Sequence, residues 1–517
     1  MLKQDSGIES RDIVSNVVAE VQGESARQVF DTLPIQYPII GGDFDNIADV
    51  RRDAEQKITR RARILGRVAV TRGHKNYGFV MLESQDGDNN TSSIQVIIPR
   101  RAQDDKGEYV TLEENDSFVG AAQIGSWAVV EGISTASKSG EPSVLVEDIP
   151  PIIAAQAFIR PDNLDGNEGL SRNEKREMFE RRNNVRVAIR RLLEDSGFTE
   201  VITPVITGAA SGANADTFST DVRSIGKAGH LRISPELALK TAIINGYGLR
   251  VYEIATDFRN EGIDREHIPE FEMLEFYAAF MTLDSMTDFT KQLIVNAATR
   301  ANSTTEVRLT KEDGQEIDID LAHWKSIEYR DIFLDGAGID LDVLLGQSEN
   351  VIRQTLQQKI EQAIPNSEQA EKIKNSSIAT MIDKLFKFTC RPHINQPTFV
   401  TKYPQIMSPL ARPNDADPRY VDMFQGIVGS MEVVKAYQEL NDPVLQLQNL
   451  MKQAQAKAAG DSEAMEVDWA YIRNMLRGLP PTAGCGIGID RLTAIISGKK
   501  NIHDTVAYPF KERFSEK

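Results

Sequence analysis

The chain is poor in cysteine, because only Cys390 and Cys485 occur among its 517 residues. Two cysteines cannot build a disulfide framework or a cysteine-rich zinc site. Positive charge is also scarce: 59 lysines and arginines face 76 aspartates and glutamates, which gives a net charge of −17. That deficit argues against a protein that coats nucleic acid or anionic membranes nonspecifically, although a local basic patch is still compatible with RNA binding.

Long apolar runs are missing as well. No stretch approaches the length of a membrane span, and the first residues, MLKQDSGIES, do not have the charged and then apolar pattern of a secretory signal. These absences predict a cytoplasmic protein with no membrane segment. The 41% hydrophobic and 26% charged residues are typical of a globular protein, and a chain of 517 residues predicts two to four domains.

Short β-like runs separated by turns fill residues 59–151. Five such runs occur there: ARILGRVAV, YGFVML, SIQVII, SWAVVEGI and SVLVEDI. Five short strands in a segment of this length predict a small β-barrel. Residues 1–58, before the barrel, are interpreted as an N-terminal helical extension. The loss of periodicity over residues 152–171 predicts a linker.

Two apolar and aromatic runs between residues 251 and 280 flank a polar turn and predict an antiparallel hairpin. Strand alternation places four side chains on one face of the second strand: Phe271, Met273, Glu275 and Tyr277. The loop between the strands carries three further polar side chains: Arg259, Glu261 and His267. An arginine fork, a histidine and an aromatic plate suit the phosphates and the base of a nucleoside triphosphate.

The FRNEG turn of this hairpin resembles motif 2 of the class II aminoacyl-tRNA synthetases, and its sequence is similar to that of the lysine enzymes. A helix over residues 172–195 and the following strand with Pro204 are similar to motif 1, and GCGIGIDR is similar to motif 3. The SPLA and ELND stretches also match the lysine enzymes. The barrel runs resemble the OB-fold anticodon-binding domain of subclass IIb. Together these matches cover residues 60–512.

The resemblance implies an α+β fold. An N-terminal OB-fold β-barrel is expected to precede a class II catalytic domain built on an antiparallel sheet flanked by helices. The catalytic domain is expected over residues 172–517, with a helical insertion around residues 281–388. Motif 1 forms the dimer in this family, so a homodimer is implied as well.

The resemblance also implies ATP-dependent ligation of L-lysine to tRNA(Lys), with Mg2+ as cofactor. The implied catalytic residues are Arg259 and Arg491. The implied ATP-binding residues are Arg259, Glu261, His267, Phe271, Glu432, Gly488 and Arg491. The implied lysine-binding residues are Gly212, Glu236, Arg259, Glu275, Tyr277, Lys435, Tyr437 and Glu439. The implied metal-binding residues are Glu432 and Gln425.

In the lysine enzymes two carboxylates and a phenol surround the substrate ε-ammonium, and the matching residues are Glu275, Glu439 and Tyr277. Such a cage is chemically reasonable, since a buried charge must be paired. On the barrel, an aromatic and a glutamine read the anticodon in the family, and Phe79 and Gln95 match them. Arg72 lies close by in sequence and is expected to contact a phosphate or base of the anticodon. The alternative for Phe79 is a place in the barrel core.

Three positions depart from the family pattern. Gln425 stands where a metal-binding glutamate is usual, Lys435 stands where an asparagine is usual, and Ile268 replaces an asparagine after the motif 2 histidine. We interpret Gln425 and Lys435 as a linked change, in which the ammonium of Lys435 does part of the charge neutralisation otherwise done by a metal ion. The alternative is that Lys435 pairs with a local acid and points away from the ligand.

Three other functions remain open on the sequence alone. An aspartate or asparagine synthetase shares the barrel, but its pocket should favour a basic residue over the Glu275 and Glu439 pair. The lysine ligase that modifies elongation factor P shares the catalytic site but has no barrel. A catalytically silent RNA-binding or regulatory paralogue is compatible with the three departures.

Overall fold

A computed structural model of the protein describes residues 43–85, 91–103, 106, 108–155, 172–213, 215–311, 314–364, 367–458, 464–510 and 513. The expected N-terminal extension lies outside the described residues up to residue 42, and the expected linker lies outside them from residue 156 onwards. The chain divides into two compact units, Met1–Gly169 and Leu170–Lys517.

The described part of the first unit holds eight strands and two helices. The strands are β1 Arg61–Gly73, β2 Tyr77–Gln85, β3 Thr91–Pro99, β4 Arg101–Gln103, β5 Tyr109–Thr111, β6 Trp127–Ala136, β7 Pro142–Leu145 and β8 Ile152–Ala155. The helices are α1 Ile47–Glu55 and α2 Glu113–Ala121. Strands β1, β2, β3, β7 and β6 pair in that order, and β6 also pairs with β1, which closes a barrel. This confirms the expected five-stranded barrel of OB type.

Apolar side chains that alternate with outward-facing ones fill the barrel interior. On β1, Ala62, Ile64 and Val68 are buried while their neighbours are less so. Helix α1 contributes Ile47 and Val50 to the same cluster, both fully buried. The helix therefore packs on the barrel, although it falls within the expected extension.

Strand β8 lies within the expected linker. It pairs with β6, and Ile153 packs against the barrel interior. The first four residues of the expected linker are thus part of the sheet, because consecutive β-branched isoleucines favour a strand.

The described part of the second unit holds thirteen strands and eleven α-helices. The strands are β9 Thr199–Glu200, β10 Ile206–Thr207, β11 Ser219–Val222, β12 Lys227–Leu231, β13 Arg250–Phe258, β14 Glu270–Ala279, β15 Glu306–Thr310, β16 Glu316–Asp320, β17 Lys325–Glu328, β18 Thr398–Thr401, β19 Met423–Val428, β20 Met431–Gln438 and β21 Thr482–Gly488. The helices are α3 Arg172–Asp195, α4 Glu236–Ile244, α5 Leu283–Asn302, α6 Tyr329–Ala337, α7 Leu341–Leu344, α8 Glu349–Ala363, α9 Ser367–Lys374, α10 Ile378–Thr389, α11 Pro443–Ala458, α12 Trp469–Met475 and α13 Ile489–Ile496. Short 3-10 turns cover Arg391–His393, Gln405–Met407 and Ile502–Thr505.

Eight of these strands form the central sheet in the order β17-β18-β19-β20-β21-β14-β13-β9. The pairs from β18 to β13 are antiparallel, which agrees with the expected sheet. The two outer pairs, β17 with β18 and β9 with β13, are parallel. The sheet is therefore mixed at its edges.

The expected helical insertion around residues 281–388 also contains strands. Strands β15 and β16 form a hairpin, and β17 joins the edge of the central sheet. The runs EVRLT and EIDID alternate apolar and polar residues over five positions, which is the period of a strand and too short for a helical stripe. The segment was predicted to be mostly helical, and these three strands were not anticipated.

Helices α3, α5 and α13 supply the apolar layer against the central sheet. Val185, Leu293 and Ile489 from these helices are fully buried and share one cluster with Phe276 of β14. None of the described helices has the length and hydropathy needed to span a membrane. Since Phe276 faces this layer, its neighbours Glu275 and Tyr277 face the other side of the sheet, where the site lies.

Candidate active site

The second unit contains a cavity of about 1000 Å³ over the central sheet. Every residue expected to bind ATP, lysine or metal lines it except Glu439, which is buried beneath with 1% of its surface exposed. Residues separated by more than two hundred positions in sequence therefore meet around one space. A cavity of this size can hold a nucleotide and a small substrate together.

Strand register explains how the site residues meet. Directly opposed residues make two rows across β19, β20, β21 and β14. The first row is Gln425, Lys435, Gly486 and Glu275, and the second row is Met423, Tyr437, Gly484 and Tyr277. Side chains of directly opposed residues are close neighbours on one face of a sheet. Lys435 consequently stands between Gln425 and Glu275, next to the bare strand at Gly486.

Glycines on β21 leave room for the side chains and the ligand space of the cavity. Gly484, Gly486 and Gly488 alternate on β21, so they form a strip without side chains. A Cβ atom at Gly484 would overlap the carboxylate of Glu439 and the ring of Tyr277. Gly212, which also lines the cavity, has a φ of +106°, a conformation that side chains rarely adopt.

One end of the cavity is strongly acidic, and a lysine that the sequence interpretation missed lies within it. Lys240 of α4 is fully buried, and its Nζ donates hydrogen bonds of 2.7 Å to Glu236 Oε1 and to Glu439 Oε2. Glu439 therefore does not face the substrate alone: one of its oxygens already pairs with an internal ammonium. The other, Oε1, is buried with no hydrogen-bond partner among the described residues. The spacing of four residues between Glu236 and Lys240 was the only sequence signal for this pair.

The remaining carboxylate, Glu275, accepts two hydrogen bonds from hydroxyl groups. Ser234 Oγ donates to its Oε1 at 2.7 Å, and the Tyr277 hydroxyl donates to its Oε2 at 2.6 Å. The Tyr437 hydroxyl donates to Glu236 Oε2 at 2.7 Å. Three carboxylates and two phenols thus surround this end of the cavity. Lys240 pairs with two of the carboxylates, and Lys435 lies 6.0 Å from the centre of the Tyr437 ring.

Burial and like charge act on the ionisation of this group. Burial raises the pKa of Glu275 to about 7, and the neighbouring Glu236 adds to the effect. Burial raises the pKa of Glu439 to about 8, although the Lys240 ammonium opposes the rise. Burial would lower the pKa of Lys240, but Glu236 and Glu439 outweigh it and raise that pKa well above its ordinary value. A second ammonium entering here would favour the ionised carboxylates.

Cationic and aromatic side chains occupy the other end. The Arg259 guanidinium lies 5.0 Å above the centre of the Phe271 ring, and its Nε has no hydrogen-bond partner among the described residues. Arg491 donates to the main-chain oxygens of Glu432, at 2.9 Å, and Glu266, at 3.2 Å. Arg259 therefore has a donor available for a ligand, while Arg491 is held by the backbone.

His267 and Ile268 complete this end. His267 Nδ1 lies 2.8 Å from Asp264 Oδ1, and burial together with the nearby Arg491 lowers the pKa of the imidazole. Ile268 is buried and packs with Ala494 of α13 and with Ile502. An apolar residue in place of the usual asparagine is explained by this contact.

Arg182 of α3, also missed from the sequence, ties the three motif segments together. Its guanidinium donates to Asp490 of α13 and, at 3.0 Å, to Glu272 of β14. Asp490 Oδ2 in turn accepts from the main-chain nitrogen of Glu272 at 2.8 Å. Asp490 precedes Arg491 and Glu272 follows Phe271, so this network orients Phe271 and Arg491.

The donors for a divalent cation are sparse. Among the described residues no cluster of three or more histidine, cysteine, aspartate or glutamate side chains could hold a metal ion. Gln425 Oε1 accepts a hydrogen bond of 2.6 Å from the Tyr403 hydroxyl and carries no charge. Glu432 lines the cavity and is the one carboxylate of the expected metal-binding pair. These residues fit one magnesium ion that keeps waters and phosphate oxygens as ligands, and do not fit a second one at Gln425.

The three residues expected to read the anticodon share one surface of the barrel. Arg72 pairs with Phe79 across β1 and β2, and Gln95 pairs with Met81, two residues beyond Phe79. Phe79 is partly exposed and alternates with the buried Val80 of the barrel interior, so the core alternative does not hold. Gln95 Oε1 accepts from the Ser143 hydroxyl at 3.0 Å.

A comparison with protein families bears on this arrangement. The family model described as tRNA synthetases class II (D, K and N) matches residues 169–512. The chain is a class II tRNA synthetase of this family. The match covers nearly the whole second unit of the synthetase, including the sheet, the cavity and all three motif segments.

Individual relatives extend the similarity of the synthetase beyond this match. A lysine–tRNA ligase of Clostridium acetobutylicum is 31% identical over 90% of this chain and 86% of its own length. One from Thermotoga maritima is 32% identical over 86% of this chain and 84% of its own length. One from Aquifex aeolicus is 37% identical over 66% of this chain and 54% of its own length. The two longer alignments necessarily include much of the barrel unit.

Proposed function

We propose that this synthetase is a lysine–tRNA ligase, which activates L-lysine with ATP and transfers it to tRNA(Lys). The observation that carries the proposal is the acidic end of the cavity. Glu275 lies opposite Gly486 and the unpartnered Oε1 of Glu439 lies beside Gly484, so a substrate ammonium over this strand would find two acceptors. An ammonium is the complement that buried carboxylates require. The relatives named above support the same assignment.

Catalysis in this proposal is positioning and charge neutralisation. The lysine carboxylate attacks the α-phosphate of ATP in line, and pyrophosphate leaves. Arg259 orients the attacking carboxylate and the α-phosphate, and Arg491 lies against the adenine, with Phe271 on its other side. No side chain acts as a general base, because a carboxylate is already ionised at neutral pH.

The other substrate contacts follow the same arrangement. Glu236 and the backbone at Gly212 hold the α-amino group, Glu261 reads the adenine amino group, and His267 contacts the γ-phosphate. Gly488 lets the backbone approach the nucleotide. Magnesium, bound with ATP at Glu432, supplies further charge neutralisation on the phosphates.

The rival functions differ in what they require of the cavity. An aspartate or asparagine ligase would need a cationic pocket, whereas three buried carboxylates outnumber the two lysines, Lys240 and Lys435, here. A ligase acting on elongation factor P would not need the barrel. A silent paralogue would leave Arg259 and the carboxylates without substrates. Aminoacylation of total tRNA with each of the twenty amino acids tests the proposal: charging with lysine alone supports it, and charging with none favours the paralogue.

We expect Lys435→Ala to weaken lysine use roughly ten- to a hundredfold, the value of a hydrogen bond to a charged group. Lys435 lines the cavity, its Nζ lies 6.0 Å from the centre of the Tyr437 ring, and it makes no ion pair with an acid that the structure describes. Lysine-dependent pyrophosphate exchange measures the effect, with the exposed Lys325→Ala on β17 as control. Unchanged lysine and ATP use would favour the alternative in which Lys435 points away from the ligand.

The barrel surface should act on tRNA and not on adenylate formation. We expect Phe79→Ala to weaken tRNA charging by about 1–3 kcal/mol, the energy of stacking one base on an aromatic ring. Pyrophosphate exchange with lysine should not change. Tyr109→Ala is the matched control, because Tyr109 is an aromatic of the same unit that is 60% exposed. Equal effects of both substitutions on charging would remove Phe79 from the anticodon site.

A homodimer is part of the proposal and is supported by exposed apolar residues near motif 1. These residues are Ile202, Ile206, Tyr247, Leu249 and Phe280, each more than half exposed. Strand pairing brings the segments together, since β9 pairs with the start of β13 and Ala279 donates to the Leu249 oxygen. Such a patch indicates an interface. Because tRNA charging serves translation, we expect the dimer to act in the cytoplasm.

A further inference from the structure

Helix α10 brings a lysine to the nucleotide end of the cavity. Asp383 and Lys387, one helical turn apart, both line the cavity. Lys387 Nζ lies 2.8 Å from Asp383 Oδ2. Neither residue belongs to motif 1, 2 or 3, and no sequence pattern marks them as site residues.

The same segment is joined to Arg491. Arg391, four residues after Lys387, forms an ion pair of 3.2 Å with the Glu266 carboxylate. The main-chain oxygen of Glu266 accepts from Arg491 at 3.2 Å. Glu266 therefore links the segment that follows α10 to Arg491, so Lys387 and Arg491 belong to connected segments of the site.

The phosphate charges of a triphosphate bound near Arg259 and Arg491 would need a further cation. Lys387 interacts electrostatically with Glu432, and burial, which lowers its pKa, is outweighed by Asp383, so it remains an ammonium. Gln425 is neutral, and its carbonyl oxygen is occupied by Tyr403. Of the two residues expected to bind magnesium, only Glu432 offers a carboxylate, while a bound triphosphate would carry several negative charges.

We propose that Lys387 binds the β- and γ-phosphates of ATP, and the pyrophosphate that leaves, in the role that a second divalent cation at Gln425 would otherwise fill. This inference rests on the proposed function in taking ATP as the nucleotide. Lysine suits this role because its ammonium is a point charge that can approach a phosphate from several directions. On binding, Lys387 exchanges the Asp383 carboxylate for phosphate oxygens.

Binding of inorganic tripolyphosphate, measured by calorimetry on the full chain in EDTA, tests the inference without turnover. We expect Lys387→Ala to weaken binding roughly ten- to a hundredfold and Lys387→Arg to retain most of it, as for a hydrogen bond to a charged group. The matched control is Lys384→Ala on the same helix, since Lys384 does not line the cavity. Equal affinities of the native protein and the Lys387→Ala and Lys384→Ala variants would overturn the inference.

A second substitution tests the link to Gln425. Gln425→Glu restores a carboxylate, so in the Lys387→Ala background added magnesium should recover tripolyphosphate binding, and without Gln425→Glu it should recover less. Equal recovery in both backgrounds would overturn the link. Should Lys387→Ala unfold the protein, Lys387→Gln, which keeps the length of the chain, replaces it in the same comparison.

Failure of the inference is distinguishable from failure of the proposed function. Lysine-dependent pyrophosphate exchange reports the function, and tripolyphosphate binding reports the phosphate site. Loss of tripolyphosphate binding in Lys387→Ala without any exchange in the native protein would overturn the ligase and support the phosphate site. Lysine-dependent exchange by the native protein, together with unchanged tripolyphosphate binding by the Lys387→Ala variant, would support the ligase and overturn the phosphate site.

Discussion

The Glu439→Gln variant should bind lysine more weakly by about 2–5 kcal/mol, the cost of leaving a buried charge under-paired. Glutamine keeps the size of the side chain but removes its charge. Lys240 would then be paired only with Glu236, and the substrate ammonium only with Glu275. The two ammonium groups would compete for fewer carboxylates, so the loss should fall on lysine and not on ATP.

Separate measurements of the lysine and ATP requirements in pyrophosphate exchange check this prediction. Glu270→Gln on the same sheet is the control, because Glu270 lies outside the cavity and pairs with Arg513 at 36–37% side-chain exposure. The variant should also discriminate less between lysine and neutral amino acids of similar length. A parallel rise in the requirements for ATP and lysine would contradict the acidic pocket.

Replacing Lys240 with methionine should destabilise the protein by about 3–5 kcal/mol at pH 8, because it leaves two buried carboxylates without their cation. The deficit should shrink toward pH 5. Without the ammonium, burial and the neighbouring Glu236 push the pKa of Glu439 above the value of about 8 that it has with Lys240 present. A carboxyl whose pKa is higher in the folded than in the unfolded protein costs no stability at a pH below its unfolded pKa. The free energy of unfolding then falls as the pH rises through the pKa of the folded state.

Chemical denaturation midpoints at pH 5.5 and pH 8 measure this effect. Lys384→Met is the control, since it makes the same change on a lysine that forms no ion pair with the described residues and does not line the cavity. A Lys240→Met deficit that is the same at both values of pH would mean that lost packing, and not unpaired charge, dominates. A deficit no larger than that of the control would show that Lys240 contributes little.

The barrel and the hairpin of motif 2 were predictable because their patterns are local. Each barrel run alternates over several residues, and the alternation along β14 correctly separates Glu275 from Phe276. Helix α1 was assigned to an extension because nothing in IADVRRDAE reveals what its three buried residues contact. The strands β15 to β17 were missed because runs of four or five residues were read as part of a longer helical segment.

The composition of the site was harder to predict than its outline. The expected site residues follow from the resemblance, but the resemblance does not reveal that Lys240 reaches Glu439, 199 residues away. Whether a lysine is solvated or buried depends on the tertiary structure, and the sequence PELALK is compatible with both. Lys387 was missed for the same reason, because only the packing of α10 decides which of its lysines faces the cavity.

The bare strip of Gly484, Gly486 and Gly488 limits how the substrate range of this enzyme can be redesigned. The strip belongs to a central strand held on both sides by β14 and β20, so its backbone cannot retreat to admit a larger molecule. Room for a bulkier amine has to come from shortening the tyrosines at 277 and 437. Any residue larger than glycine at 484 would instead collide with the Glu439 carboxylate and the Tyr277 ring, so directed evolution toward longer substrates should vary the two tyrosines and leave the glycines unchanged.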